Sequence, residues 1–246
     1  MNVTVASLTA PGFLTKYRLA LTWKDSNRLT FAKPALKYLS HEKLDYTHTP
    51  TLAALKMFLE FPNQELHDSI LKRNDLPERV QLWGVQSKYP NSIDRVMRAT
   101  ELPKTVQDAF LARFVPIRAE GRRPSEYNDR GWEGACKSLI CNPKFDLSLV
   151  PIVLQYRELY ETIIESIKDL PKEHVTFVGE QVLKEVEGNT SKYDYDAGEA
   201  VMLHKHCSVP LWVQLYETGI EKGSSYNFAS TVLEKLKKGK VKLVVA

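Results

Sequence analysis

Five of the chain's twelve arginines, Arg113, Arg118, Arg122, Arg123 and Arg130, fall within eighteen residues. A guanidinium is planar and permanently charged, and its fork of N–H donors matches the oxygens of a phosphate. Tyr127 stands inside the same stretch and Trp132 just after it. Aromatic faces stack on unpaired bases, so this mixture of residue types points to contact with single-stranded RNA or DNA. Such contact would carry little sequence preference, and its affinity would fall as salt rises.

The spacing refines the set. Ala119-Glu120-Gly121-Arg122-Arg123-Pro124 reads as a loop that brings Arg118, Arg122 and Arg123 within reach of phosphate oxygens. Arg130 and Lys137 lie seven residues apart on the helix expected after it, two turns along one face. The candidate nucleic-acid-binding residues are therefore Arg113, Arg118, Arg122, Arg123, Arg130 and Lys137, with Tyr127 as a stacking platform. A competing reading sits in the same segment. Glu120, Glu126, Asp129 and Glu133 are interspersed with the arginines and supply local ion pairs. Trp132 also fits the apolar stripe of its helix (Trp132, Ala135, Cys136, Leu139, Ile140) better than a binding face.

Other chemistry-bearing clusters are weaker. The lysines at 235, 237, 238, 240 and 242 form a second basic segment, but lysines also suit helix C-termini and edge strands. Asp194, Asp196 and Glu199 precede His204, His206 and Cys207. A metal pair on a helix needs spacing of three or four, whereas residues two apart point roughly 200° from each other. The Asp-x-Asp-x-Gly start places Lys205 where a calcium loop requires a bidentate glutamate. Cys136 and Cys141 have no partner pair at zinc spacing, and three cysteines make no disulfide framework. Neither a phosphate-cradling glycine loop nor a nucleophile elbow is present. The sequence thus implies no cofactor, no metal site and no assignable catalytic residue, although a carboxylate pair needs no local motif.

These residues must be positioned by a mainly α-helical body. Proline and cap signals at Pro34, Thr49-Pro50, Asn63, Pro77, Ser92, Pro103 and Ser125 predict successive short helices, with that at Pro103 ending before Pro116. From Leu149 to Asp169, apolar residues at helical spacing predict one long central helix of more than five turns. Helices are further expected from Pro171 to Glu187, over 197–207 and 210–221, and from Asn227 to Lys238. A small β element is expected from an N-terminal hairpin (Tyr17, Leu19, Leu21, Trp23, then Leu29, Phe31) and a C-terminal strand in which Val241, Leu243 and Val245 alternate with lysine. The strand could pair within one molecule or with a neighbouring copy. The chain reads as a single helical domain, 1–246, with a lobe division, if any, near 119–124.

Charge is distributed unevenly. The chain carries +4 overall, yet residues 88–144 hold 11 basic and 7 acidic side chains, and residues 145–233 hold 7 and 14. The last thirteen residues hold five lysines and one glutamate. Opposite charge along one chain suits polyanion binding and self-association between copies. No apolar run is long enough to span a bilayer, and Met1–Val5 begins no secretory signal, so a soluble, cytoplasmic protein without a membrane partner is expected. The reading that gathers these features is a non-enzymatic nucleic-acid-binding or assembly protein, a nucleoprotein or coat-like subunit. Its alternatives are a helical adaptor for a protein partner and an enzyme using carboxylates and histidines around 194–206.

Overall fold

A computed structural model describes residues 52, 55, 56, 59, 64–72, 76–119, 126–187, 195–222 and 234. Its contacts divide the chain into two compact units, Met1–Phe145 and Asp146–Ala246. All regular structure among the described residues is helical. The expected hairpin, the terminal strand and the lysine segment at 235–242 lie outside them.

In the first unit, prolines set the helix starts. Helix α1 spans Gln64–Leu71, α2 Glu78–Val85, α3 Pro90–Met97, α4 Lys104–Ala119 and α5 Glu126–Ile140. Pro77 is the N-cap of α2, and its carbonyl accepts from the Val80 and Gln81 N–H groups. Pro103 plays the same part for α4, accepting from Val106 and Gln107. Pro90 corrects the helix start expected at Ser92. It opens α3 as its first residue, with Tyr89 as an extended N-cap, because a proline at that position loses no helical hydrogen bond. Ser92, expected as a cap, is buried inside the first turn and donates to Asp68 Oδ1 on α1 at 2.6 Å. A second correction concerns α4, which runs through Pro116 to Ala119 rather than ending before it. The proline removes one N–H from the ladder, while Val106, Phe110, Leu111 and Phe114 hold the preceding turns in the core.

Helices α3 and α5 form the central contact of this unit and run in the same direction. Gly131 of α5 passes Pro90 at the start of α3. Midway, Ser138 Oγ donates to Asp94 Oδ1 at 2.5 Å. At the far end, Asn142 Nδ2 donates to the Met97 and Ala99 carbonyls at 2.8 and 2.9 Å. Met97 is the last residue of α3, where carbonyls lack helical partners, and Ala99 lies just beyond its C-cap Arg98. On α3 the buried residues are Ile93, Val96 and Met97, and on α5 the burial of Ala135, Cys136, Leu139 and Ile140 follows the stripe expected of that helix.

The second unit corrects the expected central helix. A 3-10 turn at Leu147–Leu149 leads into α6, Val150–Val153; a second at Arg157–Leu159 leads into α7, Tyr160–Ser166. Tyr156 and Ile167 are extended, so the 149–169 stretch is two short helices rather than one long one. The width of the apolar pattern is the physical reason. Val150, Val153, Leu154, Leu159, Tyr160, Ile163, Ile164 and Ile167 are all buried. On one straight helix they would spread over roughly 220° of arc, more than one side of a core can cover. Helices α8 (Lys172–Glu187), α9 (Tyr195–Leu203) and α10 (Val209–Lys222) complete the unit. The central position falls to α9, which packs on α7, α8 and α10 and buries Ala197, Ala200, Val201 and Met202. No described helix is long and apolar enough to cross a membrane.

Candidate nucleic-acid interface

Arg113, the first of the clustered arginines, is a half-buried residue of α4. Its Nη1 donates to the carbonyl of Ser87 at 2.6 Å and also to that of Val85. Val85 ends α2, so the cation sits where that helix presents unpaired carbonyls and partial negative charge. The guanidinium carbon lies 4.9 Å from the centre of the Trp132 ring on α5, a cation–π distance. Burial lowers the Arg113 pKa from its ordinary value. One side chain therefore ties α4 to the α2–α3 turn and to α5.

The same turn is held from its other side. The Ser87 hydroxyl is 2.7 Å from His67 Nδ1 of α1 and accepts from the Tyr89 N–H at 3.2 Å. The His67 ring meets Tyr89 edge-on at 5.1 Å. His67 and Ser87 are both buried, 2% and 3% exposed, so this serine–histidine pair is closed to a substrate and acts on the turn. No local motif announces it, because the partners lie twenty residues apart on different elements.

Phe110 of α4 stacks on Phe114 at 5.9 Å and on Trp132 at 6.0 Å. Trp132 is 8% exposed, which places it in the core as its stripe predicts. These contacts fix α4 and α5 on either side of the segment 120–125 that joins them. Arg118 is in the last turn of α4, a helical rather than a loop position. Tyr127 and Arg130 are in the first turns of α5. Arg122 and Arg123 lie outside the described residues. Lys137, two turns beyond Arg130, pairs with Glu133 at 2.8 Å, the kind of i,i+4 ion pair that the interspersed carboxylates suggested. Of the sequence-derived candidates, then, Arg113 and Lys137 have described partners within the chain, while Arg118, Tyr127 and Arg130 bracket the connection on the helices to either side.

No protein-family model, curated protein or solved structure matches this chain.

The histidine cluster differs from its helical expectation. Helix α9 stops at Leu203, and His204–Cys207 form a turn closed by the Cys207 N–H to the His204 carbonyl at 3.0 Å. The His206 N–H donates to His204 Nδ1 at 3.2 Å, and the two rings come within 5.5 Å. A turn thus does what residues two apart on a helix could not. Burial, then the neighbouring charges of His206 and Lys205, lowers the His204 pKa from its ordinary value. Burial also pushes the Cys207 thiol up to about 12, which keeps it protonated and a poor nucleophile. Among the described residues, no group of three His, Cys, Asp or Glu side chains is placed to hold a metal ion.

Proposed function

We propose that this chain is a non-enzymatic nucleic-acid-binding protein of the nucleoprotein or coat-like kind, which contacts the phosphates of single-stranded RNA or DNA through the α4–α5 connection. The observation that carries the reading is the Arg113 clamp. It fastens α4 to α2–α3 and to Trp132 of α5, so the connection is slung between two helices anchored to one core. Arg118 and Arg130 stand on the helical ends that bracket it, and Arg122 and Arg123 belong to the connection itself. Rigidly held flanks favour a site whose charges are gathered before the ligand arrives, which lowers the ordering cost of binding. Tyr127 supplies the aromatic face in the first turn of α5.

The test is binding of a fluorescent single-stranded RNA and a matching DNA across a salt series. Each phosphate contact to a single strand contributes roughly 0.7 to the slope of log affinity against log salt. Replacing Arg118, Arg122 and Arg123 together by glutamine should therefore weaken binding and lower that slope by about 2. Wild-type protein without measurable binding, or a triple variant with an unchanged slope, would refute the reading.

A further inference from the structure

Surface cations of the first unit divide by what they face. Arg95, Arg98, Lys104, Lys137 and Lys144 each meet a carboxylate, at 2.8 to 3.6 Å. Arg79 on α2 and Lys88 on the turn after it are exposed and have no carboxylate partner among the described residues. Each lies over an aromatic ring instead. The Arg79 guanidinium carbon is 5.4 Å from the centre of the Trp83 ring, and Lys88 Nζ is 5.4 Å from that of Tyr89. A ring attracts a cation through its electron-rich face, yet it carries no net charge to neutralise that cation. Both charges are therefore held in place with their N–H donors available to an anion. Glu78, the carboxylate next to Arg79 in the chain, accepts from Thr105 Oγ1 on α4.

These residues share one face. At 100° per residue, Arg79, Trp83 and Gln86 fall within about 60° of one another, over a run of about 10 Å. Arg79 and Gln86 are exposed and Trp83 is half-buried, while Val80, Gly84 and Val85 are turned into the core. Lys88 and Tyr89 follow on the turn that Arg113 holds through the Val85 and Ser87 carbonyls. The next residue, Pro90, meets α5 at Gly131, the chain neighbour of Arg130 and one turn beyond Tyr127. The face on α2 thus leads to the start of α5, where the α4–α5 connection arrives.

We propose that Arg79, Trp83, Lys88 and Tyr89 form a second contact surface for single-stranded nucleic acid, along which a strand bound at the α4–α5 connection continues. The inference rests on the function proposed above and deepens it. Alternating cations and rings suit a single strand, whose phosphates take the charges and whose unpaired bases stack on aromatic and guanidinium planes. Carboxylate-paired cations suit it less, because each must give up its partner before it meets a phosphate.

The experiment measures binding of fluorescent oligouridine across a salt series. Wild-type protein is compared with Arg79→Gln/Lys88→Gln, with the charge-keeping Arg79→Lys/Lys88→Arg, and with Lys104→Gln/Lys144→Gln, which removes cations already paired with carboxylates. Circular dichroism confirms that each variant is folded. Loss of two phosphate contacts in Arg79→Gln/Lys88→Gln should lower the slope of log affinity against log salt by about 1.4. The charge-keeping variant should retain the wild-type slope, and Lys104→Gln/Lys144→Gln should stay close to it. Ultraviolet cross-linking of the bound strand, read by peptide mass spectrometry, should mark Trp83 or Tyr89. An unchanged slope in Arg79→Gln/Lys88→Gln, an equal drop in Lys104→Gln/Lys144→Gln, or cross-links confined to residues outside 79–89 would each overturn the proposal. A slope that responds to Arg118, Arg122 and Arg123 but not to Arg79 and Lys88 overturns this inference alone. A slope that responds to Arg79 and Lys88 but not to the connection arginines overturns only the α4–α5 reading, and wild-type protein that binds no strand overturns both.

Discussion

Gly131 on α5 approaches Pro90 on α3 so closely that a Cβ added to the glycine would stand 2.3 Å from the proline Cβ. The contact atom belongs to a rigid ring at a helix start, so it has no rotamer through which to give way. Three residues on, Gly134 has open space, with nothing within 4 Å of the same added atom. The two glycines therefore predict opposite outcomes for one substitution. Gly131→Ala should destabilise the protein by about 1–3 kcal/mol through overpacking, even though alanine is the better helix former. Gly134→Ala should stabilise it by about 0.5–1 kcal/mol. Urea denaturation of the two variants checks this, and equal effects would contradict the close α3–α5 passage.

Arg113 and the connection arginines should separate cleanly in two assays. Arg113→Lys keeps the charge but loses the planar fork that reaches two carbonyls and lies over Trp132. It should cost roughly 1–3 kcal/mol of stability, the range for hydrogen bonds made by charged groups. Its RNA affinity, measured well below the melting temperature, should fall modestly as the flanks loosen, while the salt slope stays at the wild-type value because no phosphate contact is lost. Replacing Arg118, Arg122 and Arg123 should do the reverse, weakening RNA binding with little change in melting. A folded Arg113→Gln variant, which removes the charge, with a salt slope lowered by roughly 0.7 would return Arg113 to the phosphate contacts.

What could be read from the sequence, and what could not, follows from the range of the interactions involved. Pro77 and Pro103 mark helix starts because a missing N–H and a fixed φ act within one turn. The stripe from Trp132 to Ile140 is legible because period alone determines which side is buried. The break between Val153 and Tyr160 is not, since a continuous apolar pattern does not say that two differently directed surfaces must be covered. Asn142 reads as a helix breaker, yet its amide closes α3 through carbonyls more than forty residues away. Arg113 looks like one more surface cation until Val85, Ser87 and Trp132 are assembled around it. Residue type and spacing mark the segment joining α4 and α5 as cationic, while only three dimensions show Arg113 engaged with Val85, Ser87 and Trp132.

The three cysteines should react in a fixed order. Cys141 is exposed, Cys207 is half-buried with its thiol pushed up to about 12, and Cys136 is 0% exposed on the α5 stripe. Thiolate is the reacting form, so access favours Cys141, and the raised pKa of Cys207 counts against that thiol. Timed alkylation at neutral pH, read by peptide mass spectrometry, should label Cys141 first, Cys207 much more slowly and Cys136 only on unfolding. Early labelling of Cys207 would contradict the protonated, partly enclosed thiol at the turn before α10.

The turn after α9 should make the second unit sensitive to acid. His204 has its pKa lowered from the ordinary 6.5, first by burial and then by His206 and Lys205. Between that lowered value and 6.5 the unfolded chain binds more protons at this site than the folded one, so stability rises with pH in this window. The contribution is complete above about pH 6.5 and is lost as the pH falls through the folded-state value. Acidification also charges an imidazole whose Nδ1 accepts the His206 N–H, and the protonated ring can no longer accept it. Amide hydrogen exchange at pH 7.5 and 5.5, corrected for the intrinsic rate, should show the lowered protection at 201–212. His204→Gln should flatten that difference, because glutamine does not titrate. A wild-type chain equally protected at both pH values, or a His204→Gln variant with the wild-type pH dependence, would rule out His204 as the group responsible.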